Sequence, residues 1–212
     1  MLVAIGEVQS TVLKAARGSY LSWGMAEEAG RAAAWLETRG LPAATAVAGL
    51  VEENDAIPMA RLAPIDPFSQ TIKGEGRLCP FLAGTAISDV DPKGTIDLLS
   101  VAHPLLLVSF AAQIGEGQGT DLSVVWPGVE IVCGTNGLTV RGMRADLLKS
   151  YASKVSIGPS TQKAEPVKNR LLRAEVDNHV WATLEGYAHR TYVPASEASR
   201  LAGAGAGLTD ND

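Results

Sequence analysis

LSVVWPGVEIVCGTNGLTV, residues 122–140, is the stretch whose reading decides the fold. Its apolar runs are interrupted by Pro127-Gly128 and Asn136-Gly137, two pairs that favour the backbone of tight turns. Short β-rich runs joined in this way pair antiparallel, so residues 120–142 are expected as a meander. "IDLLSVA" (96–102) and "LLLVSFAAQI" (105–114) upstream have the same apolar, β-rich texture, and "RLLRAEV" (170–176) is expected as one more strand.

Working outward, the N-terminal side has helical spacing. Ile5, Val8, Val12 and Ala15/Ala16 repeat at the helical period, and Arg17-Gly18 offers a stop. A second helix is expected after Ser22 as cap, with Glu27 and Glu28 near its start and Arg39-Gly40 at its end, the order the helix dipole favours. Ala26, Ala29, Gly30 and Ala33 put a face of small side chains on this helix, which lets another backbone approach closely. A third helix, Ala43 to Asn54, follows Pro42. Residues 57–95, broken by Pro58, Pro64, Pro67, Pro80 and Pro92, read as mostly irregular. On the far side, Asp177 can cap a helix carrying Val180, Trp181, Leu184 and Ala188 on one side. Helices first, strands in the middle and a helix last make an α+β fold with a mostly antiparallel central sheet. The expected organisation is a single domain over 1–212: a helical lobe over 1–55, a β-rich core over 95–176, and a C-terminal helix with a docked Gly/Ala-rich tail over 177–212.

Composition excludes several functions. At 212 residues and 46% hydrophobic content, the chain is long enough for a substantial core without disulfide staples. Cys79 and Cys133 make neither a disulfide framework nor a zinc site and read as thiols of a reducing cytosol. No secretory leader is expected from "MLVAIGEVQS", and no apolar run reaches membrane-span length, so a cytoplasmic protein without a membrane partner is expected. The net charge is −5. Between Lys149 and Arg173, six cations face Glu165 alone, but one aromatic and several Gly and Pro residues make this a solvated loop rather than a nucleic-acid surface.

Candidate chemistry gathers in two places. In "RLCPFLAG", Cys79 is a candidate nucleophile, Arg77 a candidate anion clamp, and His103 a candidate base. Asp89 with Asp91 offers acid/base chemistry, although the plain reading of "ISDVDPKGT" is a turn. The plain reading of Cys79 is a small apolar filler beside Leu78 and Phe81. Near the C-terminus, Arg190, Tyr192, Ser196 and Arg200 gather hydroxyls and guanidiniums suited to a carboxylate or phosphate. The Gly203–Gly207 tract is no nucleotide loop, because too few residues follow it to form a helix. His103, His179 and His189 have no metal-site spacing, and no cofactor or metal is expected.

"WGMAEEAGRAAAWLETRGL", "RLCPFLAGTAISD" and "RTYVPASEASRLAGAGAGLTDND" together resemble a proteobacterial family classed as a domain of unknown function, over nearly the whole chain. This resemblance implies no activity. A second one is confined to the N-terminus: Leu36-Glu37-Thr38-Arg39-Gly40 is similar to the opening of the type-2 malate/L-lactate dehydrogenases. That family's following catalytic histidine is replaced here by Leu41-Pro42-Ala43, which argues against NAD-dependent hydride transfer.

The leading expectation is a small-molecule metabolic enzyme, a hydrolase or lyase on a small anionic substrate. The alternatives are a non-catalytic small-ligand-binding or accessory protein and an oligomerisation module, with the Ala/Gly-rich helix face making a homo-oligomer contact.

Overall fold

The computed structural model describes residues 1–134 and 136–192. Ser196, Arg200, the Gly203–Gly207 tract and the expected docked tail lie outside the described residues.

The chain opens with β1 (Leu2–Ala4) and passes directly into α1 (Ile5–Ser19), α2 (Trp23–Glu37) and α3 (Ala43–Glu53). Val8, Val12, Ala15 and Ala16 form the buried face of α1, as their spacing predicts. The small-residue face of α2 does what its composition demands. A Cβ on Gly30 would sit 2.7 Å from the Gln9 carbonyl oxygen of α1, so the two backbones meet there with no room for a side chain. Ser22 occupies the N-cap of α2 but makes no side-chain capping bond. After a short helix, α4 (Met59–Leu62), come β2 (Thr71–Ile72), α5 (Pro80–Val90), β3 (Ile96–Ala102) and a 3-10 turn (Pro104–Leu107) leading into α6 (Val108–Gln118).

The expected meander is present as β4 (Leu122–Trp126), β5 (Val129–Cys133) and β6 (Leu138–Gly142), paired antiparallel in sequence order. It is followed by α7 (Arg144–Leu147), β7 (Tyr151–Pro159), β8 (Arg173–Glu175) and α8 (Asn178–His189). The main sheet has the order β2-β3-β7-β4-β5-β6, antiparallel except for β2 against β3. The fold class is therefore α+β. α6 and the 3-10 turn lie between the helical layer and the sheet, touching α2 and α3 on one side and β4, β5 and β7 on the other. Phe81 of α5 and Phe110 of α6 meet edge to face at 6.5 Å, and one continuous set of buried residues runs from Val3 to Leu184.

Three expectations are corrected. Residues 105–114 are not a strand. A short run that is apolar on all sides fits a buried helix as well as a buried strand, and Pro104 at the first position of the turn with left-handed Gly119 as the C-cap of α6 resolves it as helical. The basic stretch is a solvated loop only in part: β7 runs through its first half as a central strand of the sheet, and residues 160–172 are irregular and mostly exposed. In β7, Ala152, Val155 and Ile157 are buried, while Lys154 stays on the exposed face and pairs with Asp97 at 2.8 Å. The expected strand in "RLLRAEV" is present, outside the main sheet. Arg173–Glu175 pairs antiparallel with β1, bringing Leu2 opposite Glu175. Residues 57–95 also hold more structure than expected, with α5 the longest element.

The close approach at Gly30 yields a test. Replacing Gly30 with Val forces the α1 and α2 backbones apart and should lower unfolding stability by about 2 kcal/mol, read as a reduced urea midpoint with an unchanged m-value. An unchanged midpoint would mean that the helices do not meet there.

Candidate functional site

The candidate site is built by a detour of the chain beside β3. β2 pairs with the start of β3, Ile72 opposite Leu98. The chain then leaves the sheet as Lys73-Gly74-Glu75-Gly76-Arg77 and returns at Leu78, which bridges to Val101. The outer chain thus advances from Ile72 to Leu78 while β3 advances only from Leu98 to Val101, and the excess residues arch outward. The return is held by Leu78 N–H donating to the Ser100 carbonyl (2.7 Å) and Ala102 N–H donating to the Leu78 carbonyl (3.0 Å). Ser100 adopts a left-handed backbone, φ 55°, inside an otherwise extended strand. Three residues on, His103 is left-handed as well, φ 40°. Non-glycine residues held in this region carry conformational strain and concentrate at functional sites.

Under the arch lies an open cleft of ≈ 570 Å³, lined by Lys73, Glu75, Arg77, Leu99, Ser100 and Tyr151 together with the loop glycines. Arg77 is its central cation. Its Nη1 donates to Glu53 Oε2 at 2.8 Å, and its guanidinium lies 5.5 Å from the centroid of the Tyr151 ring. The Tyr151 and Ser100 hydroxyls are 3.4 Å apart. The ion pair is exposed on both sides, so it contributes at most about 1 kcal/mol, and an incoming anion can compete with Glu53 for Arg77.

Behind Arg77 sits His103, 5% exposed. Neither ring nitrogen has a hydrogen-bond partner, and Nε2 lies 3.6 Å from Glu53 Oε1. Burial, with the Arg77 charge adding to it, lowers its pKa to about 4. The imidazole is therefore neutral near pH 7, and its contact with Glu53 is not an ion pair. The ring fills the space over Gly49 of α3, where a Cβ would sit 2.7 Å from Cε1.

The thiol is differently placed. Cys79 caps the N-terminus of α5, fully buried, with Sγ 3.1 Å from the Tyr20 hydroxyl. Burial pushes the thiol pKa up, and the opposing pull of Tyr20 and of the Leu82 and Phe81 amides is smaller. The same burial raises Tyr20 well above the usual phenol range. Cys79 does not line the cleft, and no hydrogen bond joins it to a histidine. This arrangement opposes the expected nucleophile, since a reactive thiol needs both access and a stabilised thiolate. Cys133 is a core residue, with burial pushing it up to about 12.

The remaining expected residues are dispersed. Asp89 is exposed in the last turn of α5 and does not line the cleft, while its neighbour Asp91 caps that helix and binds Lys93 and Gln118. Arg190 donates to Asp55 at 2.7 Å, and its guanidinium lies 4.2 Å from the Tyr187 ring centroid. That pairing holds the Asp55 carboxyl below the usual range. The Tyr192 hydroxyl accepts from Lys14 Nζ at 3.2 Å. With Arg17 and Trp23, Arg190 borders a separate hollow of ≈ 330 Å³. Of the expected residues, the structure brings Arg77 and His103 to one place. Glu53, Lys73, Ser100 and Tyr151 were missed. The glycine-flanked charges of "KGEGR" were a local signal for Lys73 alone. Among the described residues, no His/Cys/Asp/Glu cluster of metal-binding size occurs.

Two measurements follow. Native Cys79 and Cys133 should resist a thiol-reactive disulfide reagent until the protein unfolds; stoichiometric labelling of the native protein would contradict the burial. His103 binds a proton less readily in the folded state (pKa about 4) than its ordinary value of 6.5. The unfolded chain therefore takes up more protons between those values, and folding stability falls as pH drops from 6.5 to 4. The change attributable to His103 is at most about 3 kcal/mol. His103→Asn, which tolerates a left-handed backbone, should flatten that part of the stability–pH curve; an unaltered slope would assign it to other groups.

Comparison with curated proteins gives no match, and neither does comparison with solved structures. The likeness to malate/L-lactate dehydrogenases therefore has no support beyond the short motif that suggested it. A family model matches residues 3–77, from β1 through the arch to Arg77, and leaves out Cys79, Ser100, His103 and Tyr151. That family is described as a protein of unknown function, DUF3726.

Proposed function

We propose that the cleft under the Lys73–Arg77 arch binds a small anionic molecule. The observation that carries this reading is left-handed Ser100, a non-glycine residue in the stretch of β3 that this cationic loop covers. Strain of about 1–3 kcal/mol per residue is retained where it shapes a site. Lys73 and Arg77 outnumber Glu75 in the lining, and Ser100 and Tyr151 add hydroxyl donors beside the Arg77 fork. Arg77 rests over the Tyr151 ring and pairs with Glu53 in an exposed contact that a carboxylate or phosphate can replace.

A second reading, a hydrolase or lyase acting on the bound anion, gains no base from His103. Both ring nitrogens are buried, the residue is not in the cleft lining, and a pKa lowered to about 4 makes it a weak base near pH 7. The expected thiol assistance from Cys79 has no place in this version.

Titration calorimetry with acetate, succinate and inorganic phosphate tests the binding reading, with chloride at matched ionic strength as control. Wild-type protein should bind at least one of these anions saturably. Arg77→Gln should weaken that binding tenfold or more, whereas Cys79→Ala should leave it unchanged. Equal binding by the Arg77 variant, or no binding by wild type, would overturn the proposal.

A further inference from the structure

We infer that the ligand of this cleft is a carboxylic acid with an apolar body, rather than a bare inorganic ion. The inference rests on the anion-binding reading above and names the class of anion.

Arg77 has space on two sides. Opposite the arch cleft is a second lobe of ≈ 350 Å³, which shares Gly76 and Arg77 with the first. Together the lobes fall within the size range of small-molecule sites. Their chemistry differs. The arch side presents Lys73 and the Ser100 and Tyr151 hydroxyls. The other side is walled by Ile57 and Leu62, with Asn54, Arg61 and Glu53 at its margin. A ligand that places its charged group on the Arg77 fork can extend an apolar portion over Ile57 and Leu62. Arg61 and Glu53 stand on that side with opposite charges, so the apolar wall rather than a charge sets what the lobe takes.

Asn54 also borders this lobe, but its Nδ2 is buried and faces the Tyr20 hydroxyl in the core, so it offers the ligand no donor. An apolar wall next to a cationic fork is the lining that an amphipathic acid requires.

The test is an NMR titration of the full chain with acetate, butanoate, hexanoate and inorganic phosphate, repeated on Ile57→Trp and Arg77→Gln. Burial of a methylene strengthens binding about fourfold, so hexanoate should bind wild type at least tenfold more tightly than acetate, even with partial burial. Ile57 is only half-buried, so a bulkier side chain there has room to be accommodated while narrowing the lobe. Ile57→Trp should therefore remove the chain-length gradient and keep acetate binding. Arg77→Gln should weaken every acid. Intermolecular NOEs from the hexanoate methyl to the Ile57 methyls in wild type test the same placement without any substitution. Arg77-dependent binding with no gain from acetate to hexanoate would overturn this inference and leave the anion-binding reading intact. So would phosphate binding as tightly as hexanoate, a gradient that survives Ile57→Trp, or the absence of those NOEs. Failure of every anion to bind in an Arg77-dependent way would overturn both.

Discussion

The candidate site depends on two backbone hydrogen bonds, those joining Leu78 to Ser100 and Ala102. They return the chain to the sheet after β2, and because they do so several residues late, the segment between must arch away from β3. Ser100 is left-handed where its carbonyl accepts from Leu78 N–H. The cleft, the position of Arg77 above it and the placement of Tyr151 on the neighbouring β7 all follow from that rejoining. The same return sets Cys79 at the head of α5, with its thiol turned into the core against Tyr20. One constraint therefore exposes the guanidinium and hides the sulfur two residues away.

The end of α3 is the second organising element. Glu53 reaches Arg77 and approaches His103, Asn54 lies buried in the wall of the second lobe, and Asp55 holds Arg190 and Tyr187 of α8. Three consecutive residues thus tie the β3 side of the molecule to the C-terminal helix. The start of α3 is secured by another buried acid: Glu37, at the end of α2, accepts from the Ala44 amide at 2.8 Å and so satisfies an otherwise unpaired helix N-terminus. Burial raises the Glu37 carboxyl above its ordinary value, opposed by that bond.

Much of this architecture was legible in residues 122–140 and in the helical spacing of the first fifty. Turn pairs and helix periodicity are local signals, and they placed β4–β6, α1–α3 and the Asp177 cap of α8. What local reading missed was long-range. β7 carries an exposed lysine and a shifting burial pattern, so no clean alternation marks it, and only its neighbours β3 and β4 make it a central strand. Leu105–Ile114 is apolar on every side, and such a run has no period to read. At the site, Arg77 and His103 were recognisable by residue type. Glu53 and Tyr151 were not, because 24 and 74 residues respectively separate them from Arg77 in the chain and only the sheet and α3 bring them together. Cys79 misled because its neighbour Arg77 suggested an activating charge. The backbone turns the two side chains to different surroundings.

The pairing of β1 with β8 has a kinetic consequence. α1, α2 and α3 meet one another through contacts that are short in sequence, whereas α8 and β8 must close on α1 and β1 from the far end of the described chain. The entropy of closing so long a loop rises only slowly with length, so the finished structure loses little stability by this arrangement. Rates are more sensitive, because contacts distant in sequence slow the search for the native pairing. Contact locality therefore favours early association of the three N-terminal helices over early docking of α8. Until it docks, α1 leaves exposed the apolar surface that α8 covers, and that interval is when the chain is most open to association with other copies of itself.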